Sequence, residues 1–335
     1  MRILVLTLLV MSGLWAAEEP VVLRVGFFPN LTHAPALAAR QLAREGQDFH
    51  LPHLPAGTQI QWLAFNAGPT AMEALVAGTI DLTYVGISPV LNAHVRTKGR
   101  TLRVLAPVAM GGNALVVRKG LPYRTPEDFR GHRLATPQLG NTQDIDARVW
   151  LRSGGLRVTL SGGDAHVLPA QNAELMLLFA RGEVDAAWTV EPWVTRLTEE
   201  FGGVVIHENK DSLTTLLVSS QAALARKGPM INAFVRSHYA LRDLLVAQPA
   251  ELERLARVGL AAETHSAPLS PGALAPALRR IQWQAPEEPA QRTQRLTLAF
   301  TKALQDARNV GLLAGEAPLA PLLESLVADW PARAK

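Results

Sequence analysis

Apolar residues come along this chain in short unbroken blocks, each followed by a turn signal and then by a stretch with apolar positions at helical spacing. That rhythm predicts buried strands joined by amphipathic helices, the repeat of a parallel α/β sheet. The first block, VVLRVGFF at residues 21–28, is rich in β-branched residues and is closed by Pro29, and Thr32 is placed to cap the apolar-faced segment that follows. A strand feeding straight into a helix aims the free N–H groups of the helix at the mouth of the sheet. Asn30, Thr32 and His33 therefore fall where a small ligand would sit.

The pattern then repeats. Residues 58–65 (TQIQWLAF) read as a second strand, and Ala67-Gly68-Pro69-Thr70 turns into a helix ended by Gly78. Residues 80–85 read as a third strand; Ser88 and Pro89 open the next helix, with Ser88 as its cap, and residues 102–108 form a fourth strand. Beyond Gly111-Gly112-Asn113 a new series starts: the strand HRLATP, the turn QLGNTQDID, a helix over 143–151, a strand over 157–160, a helix over 173–180 and a strand over 184–190. Residues 213–219 read as a returning strand and everything after them as helical. The expected division is a leader over 1–17, a first lobe over 18–112, a second lobe over 113–212, and a segment 213–335 whose return strand and helices pack back onto the first lobe.

Two open sheets joined by crossings leave a cleft between them, lined by the carboxyl ends of strands and by helix N-termini, and such a place suits a small oxyanion. The polar candidates at those edges are His33, Asn66 and Ser88 after the first three strands and Asn113 at the junction. In the second lobe they are Asn141, Thr142 and Gln143 before a helix, with Trp188 and Glu191 at the last strand. Ser88 and Asn141 read equally well as helix caps. Glu191 has two readings. It caps the helix that follows while Trp188 and Trp193 fill the core, or it accepts hydrogen bonds from an amino or amide group of the ligand.

Composition adds limits. Arg2, the apolar run ILVLTLLV and the small residues near Ala17 read as a cleaved export leader, too short to span a bilayer. The absence of Cys excludes disulfides and a lipid-anchored cysteine, which fits the periplasm. With 48% hydrophobic and 19% charged residues the chain is globular, and a net charge of +4 spread along it gives no footprint for nucleic acid. No GxGxxG or HExxH motif is present, so neither a cofactor nor a metal is expected. Ser161 and His166 lie in a strand-end loop rather than a nucleophile elbow.

The stretches VGFFPNLTHAPAL, AMEALVAGTIDLTYVGISPVL, NALVVRKG, GHRLATPQLGNTQD and ARGEVDAAWTVEPW together resemble the substrate-binding proteins of ABC importers for nitrate, sulfonate, taurine and bicarbonate. The resemblance covers the chain up to about Ser220. It implies an α/β, two-lobed periplasmic binding protein fold of type II, a monomeric receptor that closes on one small solute and delivers it to an inner-membrane permease. Carried onto matching positions, it implies His33, Ser88, Asn113, Thr142, Gln143 and Glu191 as cleft residues. No Arg or Lys stands at these edges, so an anion would be held by neutral donors and backbone N–H groups. The alternative solute is a neutral or zwitterionic heterocycle such as a pyrimidine or thiamine precursor. The remote alternative is a pyrimidine-synthesising enzyme of thiamine biosynthesis, which the resemblance also touches and the leader argues against.

Overall fold

The computed structural model describes residues 21–160 and 162–324; the expected leader over 1–17 and Ser161 lie outside the described residues. The chain forms two sheets. The larger has six strands in the spatial order Ile281–Trp283, Leu102–Gly111, Leu213–Ser220, Leu82–Val85, Val21–Phe27 and Thr58–Ala64. Val21–Phe27 pairs parallel with both Thr58–Ala64 and Leu82–Val85, as its β-branched, doubly buried sequence predicts. The sheet is nevertheless mixed rather than parallel. Leu213–Ser220 enters between the third and fourth strands and runs antiparallel to both. It arrives directly from the other lobe instead of through a helical crossover, and only a crossover restores the parallel direction.

The second sheet has the order Val204–Glu208, Asn113–Val117, Ala186–Val190, Arg133–Thr136 and His166–Pro169. Two expectations fail here. The run at 157–160 contributes only Val158–Thr159, a ladder with Gly162–Gly163 outside the main sheet, and the strand that pairs with Arg133–Thr136 is His166–Pro169. Val204–Glu208 and Ile281–Trp283 also lie in stretches read as non-strand or helical; both are short edge strands whose apolar runs are too brief to stand out.

The helices of the C-terminal segment cover the first sheet on both faces. On one side Leu37, Phe234 and Leu255 pack with Leu23 and Val25 of the sheet, and on the other Met72, Leu91 and Phe300 pack with Val85 and Val104. In the second lobe Phe129, Leu151 and Trp188 fill one face, and Phe179, Val194 and Leu197 the other. The chain passes between the sheets at Gly112 and returns through residues 209–212. Gly112 holds φ +67 there, and a β-carbon on it would lie 2.6 Å from Cγ1 of Ile281, so both the backbone angle and the space demand glycine.

Candidate functional site

The carboxyl ends of the strands of both sheets face one narrow cleft. From the first lobe come Phe28, Asn30, Thr32 and His33 after Val21–Phe27, Asn66, Ala67 and Gly68 after Thr58–Ala64, and Gly86 and Pro89 after Leu82–Val85. The second lobe contributes Pro137, Asn141, Thr142 and Gln143 after Arg133–Thr136, then Asn172 and Val190, and Thr214 of the return strand closes the floor. This is the position at which open α/β sheets hold ligands. The free space, about 30 Å³, has room for a compact polar group and no more.

Several helices start at this cleft. Gly68–Val76 and Ile87–Arg96 begin behind Ala67 and Gly86, neither of which caps with a side chain. Ser88 is therefore not the cap: it sits inside the first turn and does not line the cleft, where Gly86 and Pro89 on either side of it do. Thr32 likewise does not cap the first long helix, Ala34–Arg44, whose N-cap is His33. The helix Thr142–Ser153 is capped as its sequence predicts, Asn141 Oδ1 accepting from Asp144 N–H at 2.8 Å. The N–H groups of Thr142 and Gln143 precede the first intrahelical bond and are available to a ligand.

Among the described residues, no Asp, Glu, Lys or Arg lines the cleft. Its polarity comes from which half of each neutral side chain the protein already uses. Nδ1 of His33 accepts from Phe28 N–H at 3.2 Å, which leaves the proton on Nε2, and burial pushes the imidazole pKa down to about 3, so the ring is neutral. Oδ1 of Asn30 accepts from the Trp193 indole at 3.0 Å, Oδ1 of Asn172 from the Thr189 hydroxyl at 3.0 Å, and Oε1 of Gln143 from Asn141 Nδ2 at 3.2 Å. Each acceptor is consumed within the protein, and the N–H half of each group remains. Thr142 Oγ1 is buried with no hydrogen-bond partner among the described residues, and a β-carbon on Gly86 of the facing lobe would approach it to 2.5 Å.

Of the residues expected at the site, His33, Asn66, Asn141, Thr142 and Gln143 line the cleft together, whereas Ser88, Asn113, Trp188 and Glu191 do not. Asn113 spends its carbonyl oxygen on the Trp188 indole at 2.9 Å and its amide nitrogen on Asn209 O at 3.3 Å. Trp188, in turn, is core: 1% exposed and packed among Phe129 and Leu151. Glu191 is fully buried, with one oxygen accepting from Thr195 N–H at 3.1 Å and the other from Arg280 at 2.7 Å. The capping reading of Glu191 thus describes its geometry, and its carboxylate, paired with Thr195 and Arg280, lies outside the cleft lining. Burial raises its pKa, and Arg280 opposes that shift. Asn172 and Thr214 line the cleft without having been singled out. Asn172 follows a strand that periodicity does not reveal, and Thr214 sits within one that reads as plain core.

The lobes touch on both sides of the cleft. Leu31 N–H donates to Glu191 O at 2.8 Å, Arg280 bridges Glu191 and Glu208, and Arg196 donates to Ser266 Oγ at 3.0 Å. Arg152 reaches the carbonyl of Asn309 at the opposite side.

Comparison with known proteins agrees with this architecture. The chain is 25% identical over 218 residues to the taurine-binding periplasmic protein of Escherichia coli (strain K12), covering 61% of this chain and 65% of that protein. It is 27% identical over 197 residues to a protein of the same organism named for binding aliphatic sulfonates, covering 58% and 57%. The chain thus spans less than two thirds of the length of either relative. The fold is similar to that of the alkanesulfonate-binding protein of Xanthomonas axonopodis pv. citri bound to MOPS, with TM-score 0.70, 23% identity, and coverage of 91% of this chain and 98% of that one. The periplasmic nitrate-binding protein of Synechocystis PCC 6803 is similar at TM-score 0.57 and 15% identity, covering 71% and 66%. These proteins are named as binding proteins, not enzymes. The model of the NMT1-like family matches residues 16–260, well over half of the sequence, and the chain belongs to that family.

Proposed function

We propose that this protein is the periplasmic solute receptor of an ABC importer and that its solute is a small oxyanion, foremost a sulfonate, delivered to an inner-membrane permease. The observation that carries the reading is the one-sided polarity of the cleft. The oxygens of Asn30, Gln143 and Asn172 and Nδ1 of His33 each already accept a hydrogen bond within the protein, the N–H half of each of these groups remains, and helix N-termini face the cleft. Such a site favours a ligand made of acceptors, and with no cation present it suits a weakly hydrated anion of delocalised charge. The similarity to taurine- and sulfonate-binding proteins supports the same class, and their periplasmic location supports export of this chain. Among the described residues no helix is long and apolar enough to cross a membrane.

A thermal-shift screen of the purified protein with ethanesulfonate, 2-aminoethanesulfonate, nitrate, bicarbonate and a pyrimidine tests the reading. A sulfonate is expected to raise the melting temperature, by about 2.7 kcal/mol of linkage at a hundredfold excess over Kd. Calorimetric titration of Thr142→Ala is then expected to show affinity lowered about 5- to 150-fold, the loss of one hydrogen bond in a dry cleft worth about 1–3 kcal/mol. Stabilisation by the pyrimidine alone would overturn the assignment.

A further inference from the structure

Asn30 stands on the first lobe, just past the strand Val21–Phe27, yet its side chain is held from the second lobe. Its Oδ1 accepts at 3.0 Å from the indole N–H of Trp193, the first residue of the helix Trp193–Phe201, and beside that bond Leu31 N–H donates to Glu191 O at 2.8 Å. Asn30 lines the cleft and Trp193 does not. Asn30 Nδ2 donates to no acceptor among the described residues, so the N–H half of the amide is the one left for a ligand.

The chemistry of the partner decides what this bond does. The two ends of an amide have nearly the same shape, and half a turn of the group exchanges donor for acceptor. A hydroxyl, such as that of Thr189 against Asn172, pairs with either end. An indole N–H only donates, so it fixes the direction: the oxygen is turned away and N–H is presented. Trp193 arrives with the second lobe, so when the lobes are apart it no longer selects which end of Asn30 faces the cleft.

We propose that Trp193 is a positioning residue for solute recognition: as the lobes approach, its indole turns the Asn30 amide so that N–H faces the solute, and the cleft thereby selects groups that accept hydrogen bonds over groups that donate them. The inference rests on the cleft holding an anion. A freely turning amide offers its oxygen to a donor as readily as its N–H to an acceptor, whereas a fixed one offers N–H alone and leaves a donor unpaired.

The test is calorimetric titration with ethanesulfonate and with ethanesulfonamide, in which an NH2 group replaces one oxygen. Trp193→Phe keeps an aromatic ring at this partly buried position and removes the N–H. Its affinity for ethanesulfonate is expected to fall about 3- to 10-fold, the range of one neutral hydrogen bond, while that for ethanesulfonamide holds or rises. In an Asn30→Ala background the same substitution is expected to cause no further loss of ethanesulfonate affinity, because it acts through Asn30. An undiminished ethanesulfonate affinity in Trp193→Phe, an equal loss for both ligands, or a loss that persists without Asn30 overturns the positioning role and leaves the anion reading standing. Failure of ethanesulfonate to bind the unsubstituted protein overturns the anion reading and this inference with it.

Discussion

Asn113 and Asn141 are the same residue type at the same kind of position, a strand or helix edge facing the other lobe, yet only Asn141 lines the cleft. The difference is in what each side chain meets. Asn113 meets an indole N–H that has no other acceptor, because Trp188 is sealed in the core of the second lobe. Asn113→Ala is therefore expected to cost about 1–3 kcal/mol of stability, since it strands that N–H, while the folded fraction keeps its affinity for the solute. Denaturant titration alongside calorimetry separates the two quantities. The same logic holds for Glu191, whose position at an edge was legible and whose partner Arg280, 89 residues further along the chain, was not.

At the scale of elements, the cleft is set by how closely two turns approach. Gly86 precedes the helix Ile87–Arg96 in the first lobe, Thr142 opens the helix Thr142–Ser153 in the second, and there is no room between them for a methyl group. The backbone of Gly86, with φ −75, is one that alanine adopts freely. Gly86→Ala is thus expected to leave each lobe folded and hold the lobes apart. Its unfolding midpoint in denaturant should match that of the unsubstituted protein, its affinity should fall at least about tenfold, and ligand addition should no longer reduce the radius of gyration in small-angle scattering as hinge closure requires.

For the molecule as a whole, buried titratable groups set the pH range of stability. His33, His50 and His238 are buried and neutral, each with its pKa pushed down to about 3 by desolvation. Their unfolded pKa is near 6.5, so below that value the unfolded chain binds protons that the folded one does not, and stability falls as pH drops toward 3. At pH 5 the loss is roughly 2 kcal/mol per histidine. Asp146 acts in the opposite sense. Burial beside the 209–212 crossing raises its carboxyl to about 7, against the hydrogen bond from Asn209 and the attraction of Lys302, with Asp306 adding to the rise. Its folded pKa exceeds the unfolded one, so its contribution is present below about pH 4 and is lost as pH rises through 7. One oxygen of Asp146 accepts from both Asn209 and Ser212, a role an asparagine oxygen also fills. Asp146→Asn is accordingly expected to raise the melting temperature above pH 7 and to steepen its fall between pH 7 and 4, measured by thermal unfolding across that range.

What the sequence by itself determined is everything that rests on local pattern. Apolar and β-branched runs mark the strands Val21–Phe27 and Leu213–Ser220, because a strand buried on both faces has little polar side to interrupt it, and Thr58–Ala64 is marked instead by Gln59 and Gln61 alternating with Ile60 and Trp62. Asn141 before Thr142 marks a helix start, and the strand-to-helix turns mark the sheet edge at which His33, Asn66 and Gln143 stand. Only the tertiary structure decided the direction of the return strand, the edge strands of three to five residues, and which edge residues face ligand. Pairing direction depends on where the chain comes from. A short edge strand owes its conformation to its neighbour rather than to its own composition. Whether an amide or carboxylate is free depends on partners such as Trp188, Trp193, Thr189 and Arg280, which approach from distant parts of the chain and which no spacing along it reveals.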